Sequence, residues 1–409
     1  MQLTRPGRPP LRWLAPVALA LVSGLYGPAS RTDVLPEDEV DAMGTNYTGG
    51  GQDINGLSFL VRKKAGDHVS VAYNHLEDIV SGASIDVRTS GASPYRETRT
   101  QDSLSGEILY GKTIYSLGVT HSYEPDYRSN TANFGISQTM FGDLTTVNMT
   151  YRRTWNDVFK MECLVDDKTL NYPCVEKVHD PSFGEKDSDE RSYGVGITQI
   201  LTRNSIISAN FEVITDQGAL GNPYRSVMYA DPSGGASLAA EIDPSTRTSN
   251  ALGLDYKYYL PWRAAVDLQY RYFEDTWGIR AHTAQIGYTQ PWRNWTFDGS
   301  VRFYTQTHAD FYSDLFSSPT QQNFMSRDRE LSSFNSYTIG AGASYQFRVP
   351  YASWISKSTA NLRFDRLLFD YKDFRDAQLI DPAKGVDAGA EPLYSEQINV
   401  VQAFLSIYY

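Results

Sequence analysis

Four residues close together in the sequence have side chains that could carry out hydrolytic chemistry. They are His308, Asp310, Ser313 and Asp314, and a second pair, Asp275 and His282, precedes them. A histidine beside a carboxylate can activate water or a serine hydroxyl. No spacing rule connects these residues, however, and 6 histidines among 48 acidic residues produce such neighbours by chance. We therefore assign no catalytic residue and expect loop packing here, with a hydrolase as an alternative.

Metal and cofactor chemistry has equally little support. Asp275, Asp310 and Asp314 could hold a divalent cation through carboxylate oxygens, but nothing in their spacing favours it. The chain has 2 cysteines among 409 residues, which excludes a multi-cysteine zinc or iron–sulfur site. The glycines at 49–51 lack the strand-to-helix context of a phosphate-binding loop and fit a turn. The sequence predicts neither a cofactor nor a metal.

The charged residues with the clearest pattern come in pairs of opposite sign, two or four positions apart. The pairs are Asp255 with Lys257, Asp267 with Arg271, Asp298 with Arg302, and Arg363 with Asp365. On a strand such residues share one face, so we predict that all of them line one interior. The simpler interpretation is that they stabilise a polar interior, because an unpaired buried charge is costly. The alternative is a constriction that filters solutes by charge, although balanced signs argue against strong selectivity.

These charges lie in segments whose polarity alternates with a period of two. In residues 250–260, Leu252, Leu254 and Tyr256 fall on one face while Asp255 and Lys257 fall on the other. Residues 264–272, 283–288 and 295–304 repeat the pattern. Such alternation predicts β-strands with one apolar and one polar face. It fits a soluble sheet, or a membrane barrel whose polar face lines a lumen.

Composition narrows the class of protein. The chain is 13% aromatic, whereas disordered chains are depleted in aromatic residues. Beyond the N-terminus it has no apolar run of about 20 residues, which a helical membrane protein needs. At the N-terminus, three arginines precede an apolar stretch at 13–26 and small residues at 27 and 29, which predicts a signal peptide over 1–29. Without those arginines the formal charge of −11 becomes −14, which argues against nucleic acid as a partner.

Three features favour a membrane barrel over a soluble β-sandwich. The alternating segments run to 10–15 residues, longer than the usual strand of about 5–6. Short turns alternate with long loops, which lie at 81–99, 155–190, 218–246, 310–330 and 374–394. Aromatic residues gather beside the short turns, as at a membrane interface: Tyr258, Tyr259, Trp262, Trp292, Trp295, Tyr345, Phe347, Tyr351 and Trp354. We therefore predict an all-β fold, an antiparallel transmembrane β-barrel with short periplasmic turns and long extracellular loops.

The final segment supports this fold. One face carries Val401, Ala403, Leu405, Ile407 and Tyr409, and this terminal pattern resembles the signal that bacterial outer-membrane barrels present to their assembly machinery. The last strand must pair with the first, so that no unpaired edge meets lipid. About 15 segments are recognisable, and because an even number is expected we favour 16 strands, with 14 as the alternative.

The resulting domain organisation has three parts. Residues 1–29 form the signal peptide, and residues 54–409 form the barrel. Residues 30–53 form an N-terminal periplasmic or lumenal segment, in which 40–47 are the one candidate for an additional first strand. The mature protein is therefore expected in the bacterial outer membrane.

The two cysteines lie in one long loop. Cys163 and Cys174 are eleven positions apart within residues 155–190. Because an exported chain crosses the oxidising periplasm, we predict a disulfide between them rather than two free thiols or a metal pair.

Several long sequence blocks resemble one known family. They are GLSFLVRKK at 56–64, SIDV at 84–87, FGDLTTV at 141–147, NPYRSV at 222–227, RTSNAL at 247–252, RYFEDTWGIRAHTAQIGY at 271–288 and YTQTHADFYSDLF at 304–316. In this order they resemble the proteobacterial domain-of-unknown-function family numbered 3570. The resemblance implies an outer-membrane barrel and brings no established activity. Met228 stands where the family pattern leads us to expect a basic residue.

The sequence thus predicts an outer-membrane barrel with a channel, transport or assembly role, and not an enzyme. One alternative is a non-conducting barrel that anchors a periplasmic or surface partner. The other is the rim hydrolase described above. The expected partners are outer-membrane lipid, lipopolysaccharide and the barrel-assembly machinery, while nucleic acid is excluded and the oligomeric state stays open.

Overall fold

The computed structural model describes residues 34–82, 88–89, 95–166 and 174–409. Nearly all of its regular structure is β. The strands are β1 (Glu39–Gly49), β2 (Gln52–Ala65), β3 (Val69–Gly82), β4 (Tyr95–Tyr110), β5 (Thr113–Glu124), β6 (Tyr127–Met140), β7 (Thr145–Val158), β8 (Met161–Asp166), β9 (Cys174–His179), β10 (Lys186–Thr202), β11 (Ser205–Gly218), β12 (Ser226–Ala230), β13 (Ala236–Ala240), β14 (Thr246–Tyr259), β15 (Ala265–Asp275), β16 (Arg280–Trp292), β17 (Trp295–Gln306), β18 (Phe334–Phe347), β19 (Lys357–Arg375) and β20 (Leu393–Tyr408). No helix in these ranges is long and apolar enough to cross a membrane.

Sixteen of the strands close into one antiparallel barrel. Every barrel strand pairs with its neighbours in chain order, and β1 closes the ring by pairing with both β2 and β20. The remaining four strands form two separate hairpins, β8–β9 and β12–β13. The predicted fold and the favoured count of 16 are therefore confirmed. The barrel begins at Glu39, inside the segment 30–53 in which a first strand was left open, while the predicted signal peptide lies outside the described residues.

The two faces of each strand differ as the alternation predicts. On β14, Leu252 and Leu254 face outward and are 45% and 44% exposed. Asp255, the residue after Leu254, faces inward. The same outward, exposed apolar positions recur on strands around the barrel, for example Leu117, Val195 and Ile286. An exposed apolar band on a closed barrel is the surface that a bilayer covers.

The two ends of the barrel also differ. The end at which β1 begins and β20 ends has tight connections, whose backbone reaches the left-handed region at Gly66 and Gly111, with φ values of 69° and 59°. The predicted aromatic residues lie beside this end and, apart from Phe347, are exposed; Trp262, Trp292 and Trp354 are 60%, 55% and 65% exposed. The opposite end carries both hairpins and the long loops, so it is the outer end.

The outer loops pack against one another over the mouth of the barrel. Loops 219–245, 307–333 and 376–392, which we call the outer cap, are joined by short backbone bridges. The loop 307–333 also contributes to a buried apolar cluster with the outer ends of β18 and β19, formed by Trp277, Ile279, Ala309, Phe311, Tyr312, Leu331, Phe334, Tyr371 and Phe374. The cap is therefore a packed structure rather than a set of independent loops.

The terminal strand lies where the pattern placed it. Val401, Ala403, Leu405 and Ile407 form one face of β20 and stand opposite β1. The ring of Tyr409 lies 4.5 Å from Lys63 Nζ, and its hydroxyl donates a hydrogen bond of 3.3 Å to the carbonyl of Arg62. These contacts fix the closing strand at the periplasmic end. Recognition of this strand by the assembly machinery stays a prediction.

Candidate functional site

The outer half of the lumen holds a cavity of about 740 Å³, which we call the lumen cavity. Strands β2–β7, β10 and β11 surround it, because their inward positions carry short polar side chains that leave the space unfilled. The wall also contains apolar residues such as Ile54, Val80 and Phe159. Its hydroxyl and amide side chains belong to Gln52, Gln101, Ser116, Thr120, Ser122, Ser129, Thr131, Asn133, Thr150, Thr154 and Ser192. Such a wall can exchange hydrogen bonds with water and with polar solutes.

Acidic residues outnumber basic residues in this wall. The acids are Asp78, Glu124, Asp126, Glu190 and Glu212, whereas the bases are Arg99 and Arg152. Arg152 pairs with Glu190 at 2.9 Å and Arg99 with Glu124 at 3.6 Å, while Ser192 donates to Glu212 at 2.6 Å. The excess of acids makes the cavity electronegative.

The sequence analysis did not identify this cavity. Its residues lie mainly between 95 and 158 and between 190 and 212, outside the charge pairs that the sequence analysis assigned to the lumen. The sequence feature that could have predicted the cavity is the set of polar residues that alternate with apolar ones along these strands, for example Ser116, Thr120 and Ser122 on β5. Most of these residues are uncharged, so pairs of opposite charge along the sequence do not indicate them.

Two aromatic residues close the outer side of the lumen cavity. Phe159 follows β7, and Tyr224 comes from the cap loop 219–245. The Tyr224 hydroxyl donates to Asp126 at 3.1 Å and accepts from the Met161 backbone N–H at 2.8 Å. Burial, together with the Asp126 charge, raises the pKa of Tyr224 above its usual range. Tyr224 thus joins three outer connections above the cavity.

Buried charges hold the outer cap together. Arg327 is 2% exposed and donates from its guanidinium to the Asp314 carboxylate at 2.7 Å, the Asp314 carbonyl at 2.8 Å and the Arg375 carbonyl at 2.9 Å. Its guanidinium also stacks 4.5 Å from the ring of Phe374. Arg329 donates to Glu396 of β20 at 2.5 Å, which anchors the cap to the barrel wall. The bonds to Asp314 hold loop 307–333 together, and those to Arg375 and Glu396 tie it to β19 and β20.

One cap carboxylate is held in an unusual protonation environment. Glu241 accepts hydrogen bonds from the Arg327 backbone N–H at 2.6 Å and the Ser326 hydroxyl at 3.0 Å. Burial, reinforced by the neighbouring Asp243 charge, raises the pKa of Glu241 to about 7. The protonation of this group therefore changes near neutral pH.

The predicted lumen charges lie on the other side of the barrel, and three of them form one cluster. Arg363 on β19 bonds to Asp365 on the same strand and to Asp298 on β17, each at 2.7 Å. The intervening strand β18 has Gly340 and Gly342 at the crossing points, and a Cβ at either position would collide with these carboxylates. The two glycines therefore allow an ion pair between strands that are not neighbours.

In the other three sequence pairs, the two members do not bond to each other. Asp255 accepts a hydrogen bond from Gln269 at 3.1 Å, and Lys257 pairs with Asp267 at 3.7 Å. Residues directly opposite on neighbouring strands are about 4.5–5.5 Å apart at Cβ, closer than residues two or more positions apart on one strand, so cross-strand partners prevail.

Arg271 and Arg302 consequently form no ion pair with Asp267 and Asp298, which bind Lys257 and Arg363 instead. The Arg271 guanidinium lies 5.5 Å from the ring of Phe273. Arg302 stands opposite Gln285, and neither arginine forms an ion pair within the described residues. Within the described residues, this side of the lumen therefore carries two unpaired positive charges.

The residues considered for hydrolysis do not form a hydrogen-bonded catalytic arrangement. His282 faces outward and bonds to the Tyr270 hydroxyl at 2.7 Å, while Asp275 accepts from Arg247 and from two backbone N–H groups. Ser313 donates to the Leu315 carbonyl, and His308 contacts the Ala309 carbonyl. No hydrogen bond joins Ser313 to His308. The geometry therefore supplies no activated nucleophile at these positions.

The proposed cation ligands are likewise separate in the structure. Asp275, Asp310 and Asp314 do not form an acidic group close enough to share an ion, and Asp314 is held by Arg327. Among the described residues, Asp157, Glu185 and Asp187 have ligand atoms within 4.8 Å of one another. They lie at the outer end of β7 and β10, and exposed acidic groups of this kind are common without an ion.

The cysteines lie on the paired hairpin strands β8 and β9. Cys163 stands opposite Lys177, and Asp166 stands opposite Cys174. Cys163 is disulfide-bonded, whereas the side chain of Cys174 lies outside the described residues. The pairing of Cys163 with Cys174 stays a prediction, and this hairpin is where it would act.

Comparison with known families identifies the chain. A family model described as "Protein of unknown function (DUF3570)" matches residues 86–366. The protein belongs to the DUF3570 family. This confirms the resemblance noted in the sequence, and no curated protein matches the chain.

Several solved structures are similar to the DUF3570 barrel. A "Bacterial polysaccharide outer membrane secretin" is 8% identical with a TM-score of 0.48, over 91% of this chain and 98% of that chain. The "CymD monoaromatic hydrocarbon channel" is 8% identical with a TM-score of 0.39, over 92% and 89%. The outer membrane protein OprD from Pseudomonas aeruginosa is 10% identical with a TM-score of 0.37, over 92% and 95%.

The DUF3570 barrel is an outer-membrane protein. Its closed ring leaves no unpaired strand edge, and its outward face exposes an apolar band with aromatic residues beside the periplasmic turns. Closed barrels of this kind satisfy every backbone hydrogen bond within lipid. The predicted localisation is therefore confirmed.

Proposed function

We propose that the barrel is a channel for small polar solutes with a weak preference for cations. The lumen cavity carries this proposal, since a space of about 740 Å³ whose wall presents many hydroxyls and amides among apolar side chains can hold hydrated solutes. The excess of acids in its wall concentrates cations there. An assembly role for the barrel, in contrast, has no feature of the described residues in its favour.

Passage through this channel depends on the two ends of the lumen cavity. The outer cap and Tyr224 cover its outer side, so conduction requires these loops to yield. Toward the opposite wall, the unpaired Arg302 and Arg271 provide positive charge that opposes cation entry. The expected conductance is accordingly small, and the cation preference is weak.

Planar-bilayer recording of the full chain tests the proposal. We expect small conductance steps whose reversal potential in a salt gradient indicates cation preference. Glu212→Gln removes one acid from the cavity wall and should shift the reversal potential toward zero. Asp67→Asn removes the same charge from an exposed periplasmic turn and should leave it unchanged.

Arg302→Ala provides a second test, because it removes bulk and positive charge from the lumen. It should raise the conductance of each step and strengthen cation preference. If wild type and both lumen variants stay closed across a wide voltage range, the channel proposal fails, and the alternative of a non-conducting anchor takes its place. Equal effects of Glu212→Gln and Asp67→Asn would contradict the role of the lumen cavity in selectivity.

A further inference from the structure

Two arginines stand directly opposite each other on the outward face of the barrel. Arg153 on β7 is the register partner of Arg191 on β10, and their side chains are 34% and 44% exposed. Both guanidinium groups contact the same carboxylate, Asp189, at 2.5 and 2.9 Å. Like charges opposite each other destabilise a sheet, and one acid neutralises only one of them. The two arginines and Asp189 together therefore carry one positive charge, and the acids Asp157 and Asp187 stand four positions further toward the outer end of the same strands.

The residues below this pair place it relative to the membrane. Two positions toward the periplasm, Tyr151 and Tyr193 pack with their ring centroids 5.2 Å apart and are 36% and 48% exposed. Two positions further, Met149 and Val195 are 55% and 53% exposed. Each step of two residues covers about 6.8 Å along a strand. The arginines thus stand immediately beyond the tyrosines that border the apolar band, at the level of lipid headgroups.

The neighbouring side chains leave the two guanidinium groups accessible to a ligand. The register partners on the flanking strands are Ala132 on β6 and Thr215 on β11, both too short to cover a guanidinium. The ring of Trp155 lies 4.7 Å from the Arg153 guanidinium and restricts its orientation. Less conformational freedom is lost when a ligand binds a group held in this way.

We propose that this surface binds the phosphorylated headgroup of the outer-leaflet glycolipid, lipopolysaccharide. A phosphate would accept paired hydrogen bonds from the planar guanidinium groups of Arg153 and Arg191. The sugar would lie against Tyr151 and Tyr193, and an acyl chain would run down over Met149 and Val195. The order of charge, aromatic ring and apolar side chain along β7 and β10 matches the order of groups in such a lipid. This proposal does not depend on conduction through the lumen.

Binding by the full chain, purified in detergent and freed of lipid, tests this assignment. Native mass spectrometry with added lipopolysaccharide should detect a stoichiometric complex of the wild type. The double variant Arg153→Gln/Arg191→Gln should bind at least tenfold more weakly. The matched control Arg280→Gln/Arg366→Gln removes two other exposed outward arginines and should bind as the wild type does. Heat-modifiable gel mobility verifies that each variant is folded.

Ligand variants on the wild type distinguish the sources of binding and do not depend on variant folding. Dephosphorylated lipopolysaccharide should bind at least tenfold more weakly than the intact lipid, and inorganic phosphate alone should not compete at millimolar concentration. Equal binding of the dephosphorylated lipid would overturn the proposal, as would equal loss in both double variants. Full competition by inorganic phosphate would reduce the surface to a simple anion site and equally overturn it.

Discussion

Replacing Arg327 by methionine should loosen the outer cap without unfolding the barrel. Methionine retains much of the side-chain volume but removes the three guanidinium hydrogen bonds to Asp314 and to the Arg375 carbonyl. The Asp314 carboxylate then stays buried with its main partner gone. Burial already raises the pKa of Asp314, so the unpaired carboxylate is strongly disfavoured in its charged form.

The expected size follows from the burial of the pair. Arg327 and Asp314 have side chains that are 2% and 11% exposed. Removing one partner of a buried ion pair costs about 3–5 kcal/mol, because the other charge is left uncompensated. Since about 1.4 kcal/mol corresponds to a factor of ten in population, the open form of the cap should become roughly a thousandfold more populated.

Hydrogen exchange of the full chain measures this opening locally. The amides of Met325 and Ser326, which bond to the carbonyls of Ile242 and Phe311, should exchange roughly a hundred- to a thousandfold faster in the variant. Amides in the middle of the barrel strands should not change. Lys384→Met serves as the control, because the ion pair of Lys384 with Asp381 is exposed and contributes under about 1 kcal/mol. An increase below fivefold in Arg327→Met, or equal increases in both variants, would refute the assigned role of the buried pair.

Four further outcomes follow from named contacts. Arg363→Met leaves the buried Asp365 without its partner and should lower the free energy of barrel unfolding in urea by about 3 kcal/mol, whereas the exposed Lys257→Met should cost under about 1 kcal/mol. Deleting Tyr409 removes its contacts with Lys63 and Arg62 and should reduce the heat-modifiable folded band, with export unchanged. Mass spectrometry of unreduced peptides should find Cys163 linked to Cys174, and quantitative labelling of both as free thiols in fresh outer membranes would exclude the link. In the folded cap, the pKa of Glu241 is raised to about 7. Its contribution to cap stability is therefore fully present below about pH 4.5, the pKa of an unperturbed glutamate, and is lost as the pH rises through 7. Glu241→Gln should flatten this pH dependence when cap opening is measured by hydrogen exchange.

Much of the fold was predictable because a membrane barrel repeats one rule along its whole length. Alternating polarity predicted the strands. The pattern of β1 was weak, but a closed barrel with an even number of strands required an additional strand at that place. The aromatic residues beside the short turns gave the orientation. None of these inferences required knowledge of which residue lies opposite which.

The interior contacts were less predictable because they depend on register. Asp298 and Arg302 share one strand and one face, yet Asp298 binds Arg363, which is 65 positions away in the sequence and two strands away in the barrel. The outer cap was missed for a related reason, since Arg327 and Asp314 of loop 307–333 meet the end of β19 at Arg375, and no local pattern encodes that packing. The lumen cavity escaped notice because its polar wall is mostly uncharged.

Gly340 and Gly342 have a consequence for how this family can diverge. The Asp365 carboxylate of β19 lies over Gly340, and the Asp298 carboxylate of β17 lies over Gly342. Neither glycine can therefore be replaced by a residue with a side chain while Arg363 keeps both of its partners. Substitution at 340 or 342 therefore requires compensating loss of charge at 298, 363 or 365. Among homologous sequences, these five positions should covary as a group across three strands, and small residues on β18 should mark the members that retain the ion cluster.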